Sequence, residues 1–473
     1  MKKIAICLSV LALASTACTD FLTEEPKLSQ SKELTLSKFS GLDDAAAGTY
    51  LYLQSNAWFG CQYVLNNELM AGNATNPVSL PGSGRYREAE PWSFTESSTW
   101  STWTYAYLTI AAANNVINNL EGKTSNEVSQ KDIDNVMAEA LFMRAFCHFQ
   151  LVNIYAQPYL NGANKDMLGV PYMKEAVISQ PARNTIGEVY DAIVADLTNA
   201  ESLMSDDYQR SGVVDALATV TKPAIQALLS RVYLYMGKWQ ECADYATKVI
   251  NNDNFSLCDA DAYLDMWSLN TAAKGGEIIF EVYSSKKNDS WDDSGWTMLP
   301  YVTSISGSAD VCATEDLFNM YEPGDVRSQL FDVNVNDHFM TKYIGKTGSV
   351  DPKESNIPVL RLAEMYLNRA EALARGAQIQ GATAQKDLDA ITTARGASSV
   401  TEASTSAIFD ERRKELAFEG HIWFDYKRLG KSITRTDFRA TQNQNINFPG
   451  NIWAMPIPKA ELDANPNMEQ NPY

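Results

Sequence analysis

A helical period governs most of this chain and limits it to folds that bury one face of each helix against another. Ala138, Leu141, Phe142, Ala145, Phe149 and Val152 recur at helical spacing, and Pro158 ends the run. Thr185 followed by Glu188 forms a capping box, since the hydroxyl and the carboxylate each satisfy a backbone N–H of the first turn. The helix it opens carries Val189, Ile193 and Leu197 on one face. Ile225, Leu228, Leu229 and Val232 mark another helix, Gly237 turns the chain, and Ala243, Ala246 and Val249 mark its partner. A comparable pair spans Leu362–Ala374 and Leu388–Ala394.

Such a pair cannot bury its apolar face alone, so it must stack on a neighbour. With small residues at the contacts, the pairs resemble degenerate, irregularly spaced tetratricopeptide repeats. The expected fold class is mainly α: a tetratricopeptide-like helical repeat scaffold with a loop-rich subdomain containing short β elements. Residues 73–99 read as loop, rich in Pro, Gly and Ser. Residues 275–360 mix polar turns with two β-prone runs, Ile278–Tyr283 and Met298–Ile305. Loops held on a rigid frame are where binding function concentrates.

The N-terminus sets the compartment. Lys2 and Lys3 precede an apolar run from Ile4 to Ala14, too short to span a bilayer, and Ser15, Thr16 and Ala17 lead into Cys18. That layout predicts a lipoprotein signal peptide over residues 1–17, with Cys18 the lipidated (acylated) residue; the alternative is an ordinary secretory signal cut at Ala17. Residues 18–40 then form a lipid-anchored flexible leash. Removing the signal takes two lysines and no acid, so the net charge goes from −19 to −21. A chain this acidic, with no basic stripe, is unsuited to nucleic acid, and its membrane contact is expected through the lipid anchor only. Cys61, Cys147, Cys242, Cys258 and Cys312 remain, with no metal-ligand spacing, and His148, His338 and His421 are scattered. No metal or other cofactor is expected. The Asp289–Asp293 cluster could hold calcium but lacks the ordered spacing of a calcium loop, so a solvated acidic turn is the better reading.

Several ordered segments resemble a known family. They are Cys18-Thr-Asp-Phe-Leu-Thr-Glu-Glu-Pro26, Ala113-Asn-Asn-Val-Ile117, Glu139-Ala-Leu-Phe-Met-Arg-Ala145, Gly169-Val-Pro171 and Asp325-Val-Arg327. In the C-terminal third they are the runs from Arg361 to Ala372 and from Glu411 to Arg428, then Met455-Pro-Ile-Pro458 and Asn465–Tyr473. Together they resemble the RagB/SusD family of outer-membrane nutrient-binding lipoproteins. The resemblance implies a helical repeat region with inserted loops over 41–270 and a RagB/SusD region over 271–473. It also implies a lipid-anchored protein on the outer face of the outer membrane, capping a TonB-dependent, SusC-like transporter and passing glycans to it without catalysis. Arg412, Arg413 and Trp423 belong to the signature and read as structural. Glu411, Glu415 and Glu419 stand at i, i+4 and i+8, which suggests an ion-paired helix surface rather than a catalytic dyad.

A sugar ring has an apolar C–H face and a hydroxyl rim, so its site wants aromatic platforms edged by amide, carboxylate or guanidinium groups. Two windows supply them: Asn73, Arg85, Tyr86 and Trp92 in one, and Trp291, Trp296 and Tyr301 in the other. These seven are the candidate ligand-binding residues. Trp92, Trp291 and Trp296 suit surface recognition and interface packing equally, whereas Trp100 and Trp103 share a helix face with Ile110 and read as core. Two other function classes compete: a surface glycoside hydrolase using two of the many carboxylates, and a scaffold that binds only proteins.

Overall fold

The computed structural model describes residues 32–121, 128–213, 215–267, 276–284, 297–345, 354–437, 439 and 444–473. Its main helices are α1 (Phe39–Gly48), α2 (Gln62–Ala71), α3 (Thr102–Leu120), α4 (Gln130–Tyr155), α5 (Ile186–Leu203), α6 (Lys222–Met236), α7 (Trp239–Ile250), α8 (Leu362–Ala374), α9 (Ala384–Ala394), α10 (Thr405–Glu415) and α11 (Ile422–Arg428). From α3 to α7 each helix packs on the next, and α8 joins α7 although Asn251 to Arg361 intervene in the chain. The fold is thus a mainly-α stack of tetratricopeptide-like helix pairs. Capping boxes start α4 (Ser129 with Asp132) and α5 (Thr185 with Glu188). Gly237 ends α6 in the left-handed region, φ +73°, and a Cβ there would sit 1.8 Å from Asn161 Oδ1, so glycine is required twice over.

The strands are short: β1 (Ala74–Thr75), β2 (Ile278–Val282), β3 (Cys312–Ala313), β4 (Phe331–Asn334), β5 (Asp337–Met340), β6 (Ile357–Arg361), β7 (Ile433–Thr434) and β8 (Asn445–Ile446). They form an antiparallel sheet in the order β1-β3-β5-β4 and two antiparallel ribbons, β2-β6 and β7-β8. Ala74 pairs with Ala313, so the loop after α2 is stitched directly to the inserted subdomain.

Several sequence expectations change here. The run Met298–Ile305 is not a strand: Leu299–Val302 is a short helix, with Pro300 in its first turn, where a missing N–H is harmless. Helical structure begins at Lys32, inside the stretch assigned to the leash, while Cys18 lies outside the described residues. The five cysteines are free, four of them buried. His148 is a packed interior residue: Nδ1 meets the Arg144 carbonyl, Nε2 accepts from the Met173 N–H, and burial pushes its pKa down to about 3.

Glu411, Glu415 and Glu419 do not form a helix surface. Helix α10 stops at Glu415, Phe418 and Gly420 take positive φ, and all three carboxylates are buried. They anchor an ion network: Glu415 meets Arg327, Arg361 and Arg395 at 2.9, 2.7 and 2.8 Å, and Glu419 meets Arg361 and Lys342 at 2.6 and 2.7 Å. Asp325 and Glu411 complete the hold on Arg327, and Glu277 reaches Arg361 and Arg395. Buried charges survive only when paired and hydrogen-bonded. This network therefore ties the end of α10 to β6, the Val326–Leu330 turn and the end of α9, and so fixes the subdomain on the helical stack.

Candidate functional site

The loop between β1 and α3 is clamped by two interior carboxylates from the subdomain. Asp310 accepts the Ser83 N–H and hydroxyl, the Gly84 N–H at 3.1 Å and the Ser308 hydroxyl at 2.6 Å. Gly82 and Gly84, at φ +57° and +83°, let the backbone wrap the carboxylate. Asp337 accepts the Val78 and Ser79 N–H groups at 3.0 and 2.7 Å, and Arg439 at 2.9 Å. Burial alone would raise the Asp337 pKa; the Ser79 and Arg439 hydrogen bonds hold it below the usual range. The clamp leaves the next residues, Arg85 to Arg87, at the surface on a backbone that is already ordered.

Arg85 is exposed. Tyr86, at φ +62°, is half-buried, and its hydroxyl donates to Cys61 Sγ at 3.0 Å. Burial pushes the Cys61 thiol up to about 12, despite the Tyr86 hydroxyl and the nearby Arg85 guanidinium. Next to Cys61, the Gly60 carbonyl accepts the Leu299 N–H at 2.8 Å, which docks the Leu299–Val302 helix, with half-buried Tyr301, beside this turn. The Tyr301 carbonyl accepts the Ser308 N–H, and Gly307 passes so close that a Cβ would lie 2.0 Å from that oxygen. Trp291 and Trp296 lie outside the described residues, as does the Asp289–Asp293 cluster. The residues bracketing that segment, Ser284 and Thr297, are linked by a hydrogen bond from the Thr297 N–H to the Ser284 hydroxyl at 3.3 Å. The loop carrying Tyr86 and the short helix carrying Tyr301 thus both meet the chain at Gly60 and Cys61.

Asn73 and Trp92 do not join them. Asn73 is fully buried, its amide donating to Glu68 at 2.8 Å and its Oδ1 accepting from Arg413 at 2.6 Å, so both ends are consumed. Trp92 is 7% exposed, its ring centroid 4.2 Å from that of Trp423, which stacks on Trp453 at 4.3 Å. Trp92 therefore fastens the loop to α11 and offers a ligand no flat face. Nothing local distinguishes it in sequence from an exposed tryptophan: a polar loop can dip one large ring into the core. Asp310 and Asp337 carry no such signal in sequence for the converse reason, being acids in polar segments whose partners in the clamped loop lie more than two hundred residues upstream.

A groove of about 950 Å³ opens elsewhere, between α3, α4, α5 and residues 174–177. None of the predicted site residues lines it, and among its described lining residues there is no aromatic ring on which a sugar could stack.

Residues 20–234 match a family model described as starch-binding and associating with the outer membrane, and residues 328–473 match the model of the SusD family. The SusD-like protein P2 of Formosa agariphila is 27% identical over an alignment covering 100% of this chain and 99% of the relative. Among solved structures, a Bacteroides vulgatus protein superposes with a TM-score of 0.82 at 30% identity, covering 92% of this chain and 98% of the other. A SusD superfamily protein from Bacteroides thetaiotaomicron gives 0.81 at 29% identity, over 91% and 100%.

Proposed function

The chain belongs to the SusD family, and from that premise we propose that it captures glycan at the cell surface and delivers it, uncleaved, to a TonB-dependent, SusC-like transporter. Cys18 carries the lipid that holds it to the outer face of the outer membrane. The observation that carries the reading is the loop that presents exposed Arg85 and half-buried Tyr86, close in the fold to the short helix of half-buried Tyr301. Arg85 and Tyr86 follow directly on a loop segment clamped by Asp310 and Asp337 to the subdomain. That combination suits recognition, since a pre-ordered loop loses little entropy on binding. The starch-binding, outer-membrane description of the matching family model supports the ligand class and the location.

The signature carboxylates are not available as a hydrolase's acid pair. Glu411, Glu415 and Glu419 are buried and engaged by cations, so none can reach a glycosidic oxygen. A glycan-array screen of the purified protein, with reducing-end release followed on every hit, tests the reading. Binding without release is expected; release would make the protein a hydrolase, and silence across a broad array would leave the scaffold alternative. Delivery is tested by affinity purification of the anchored protein from detergent-solubilised outer membranes. A TonB-dependent transporter should co-purify, and its consistent absence would remove the delivery step from the reading.

A further inference from the structure

We infer that the clamped loop selects anionic glycans, with Arg85 and Arg87 facing a carboxylate or sulfate ester on the sugar chain; this rests on the glycan-binding reading above. Arginine use across the molecule carries the inference. Among the described residues, every other arginine side chain is held by an ion pair, a side-chain hydrogen bond or a backbone carbonyl. Arg85 and Arg87 alone are exposed and lack any such partner, and they flank Tyr86 on a loop that the subdomain clamps. Glu88, the neighbouring acid, forms no ion pair with either, and Asp310 is already occupied by Ser83, Gly84 and Ser308.

Two free guanidinium groups run against the bias of a chain with net charge −19. That overall charge does not decide the local outcome, because salt screens charges beyond about 8–10 Å and leaves the nearest groups in control. The residue type matters as well. A planar guanidinium presents paired donors that match the two oxygens of a carboxylate or sulfate, whereas a neutral hydroxyl gains little from a full positive charge. Since Asp310 and the Tyr86 hydroxyl already hold the backbone, the two cations are presented without a prior ordering step.

The test uses the purified protein and charged glycans paired with neutral twins of the same backbone: oligogalacturonate against its methyl ester, alginate oligosaccharide against its carboxyl-reduced form, and dextran sulfate against dextran. By calorimetry, the charged member of at least one pair should bind about tenfold more tightly, as for one or two charge-assisted contacts. That gap should narrow as NaCl rises from about 0.05 to about 0.5 M. A gap in the uronate pairs assigns a carboxylate, and a gap in the dextran pair a sulfate. The R85Q/R87Q double variant should fold with an unchanged melting temperature and lose most of the gap. Equal affinity for charged and neutral twins, or a gap that survives in R85Q/R87Q, overturns the inference and leaves glycan binding standing. No binding to any glycan, charged or neutral, removes the glycan-binding reading and this inference with it.

Discussion

Replacing Glu415 with glutamine removes one negative charge from the most enclosed ion network in the molecule. The cluster is balanced: Arg327, Arg361, Arg395, Lys342 and Lys414 face Asp325, Glu277, Glu411, Glu415 and Glu419. The E415Q variant keeps the shape but leaves three guanidinium groups, at 2.7–2.9 Å from the former carboxylate, with one uncompensated positive charge among them. Breaking a buried pair in this way costs about 3–5 kcal/mol. Against a typical total of about 5–15 kcal/mol, that loss is visible in a urea titration followed by tryptophan fluorescence and far-ultraviolet circular dichroism. The pH dependence gives a second handle. The cluster's guanidinium groups outweigh burial and hold the Glu415 carboxyl well below its unfolded value of 4.5. Its contribution is therefore present above pH 4.5 and is lost as pH falls through the folded value. The difference between wild type and E415Q should be constant near neutrality and shrink in acid. Asp207→Asn, which breaks an exposed pair with Lys131, should leave the urea midpoint in place. A loss below about 1 kcal/mol for E415Q would refute the reasoning, because the three arginines would then have found water or other partners.

Glu68 works in the opposite direction: burial pushes its pKa up to about 7, so the folded chain holds a proton there that the unfolded chain has released. Its ionisation should cost about 3 kcal/mol of stability between pH 4.5 and 7, and melting curves of E68Q should lose that part of the slope; an unchanged slope would place the titration elsewhere. Trp92→Ala should cost about 3–5 kcal/mol through the cavity left beside Trp423 and Trp453, so calorimetric melting should fall sharply, and a lost glycan affinity with intact stability would contradict its interior role. Gly237→Ala forces a Cβ into Asn161 at a left-handed position and should destabilise by at least about 1 kcal/mol, read as a lower urea midpoint.

The helical stack was legible because its signals are local. The capping box at Thr185, the turn at Gly237 and the apolar spacing through Phe142 and Phe149 each specify structure from a few neighbours. The inserted subdomain was legible only as texture, since its strands are two to five residues long and several of them, β1 with β3 and β2 with β6, find their partners far along the chain. The same contrast runs through the site. Arg85, Tyr86 and Tyr301 were picked by residue type in polar segments, and the structure leaves Arg85 exposed and the two tyrosines half-buried. Asn73 and Trp92 satisfied the same criterion, but α2 and α11 claim them for the interior. What separates the two groups is burial, a property of long-range packing. The signature carboxylates taught the reverse lesson: helical spacing suggested a surface stripe, whereas four cations reaching in from other elements had made it a core.

The pairing of Ala74 with Ala313 also sets an order in time. Helices α3 to α7 meet their sequence neighbours and can assemble at once, whereas the sheet must wait until a strand more than a typical domain's length downstream has arrived. Contacts of such long sequence separation form late, because the intervening chain must first give up its freedom. The loop carrying Arg85 and Tyr86 hangs on that last closure through Asp310 and Asp337. A newly made or refolding molecule would therefore regain its helical signal well before its affinity for ligand, remaining inert until the far end of the subdomain has docked.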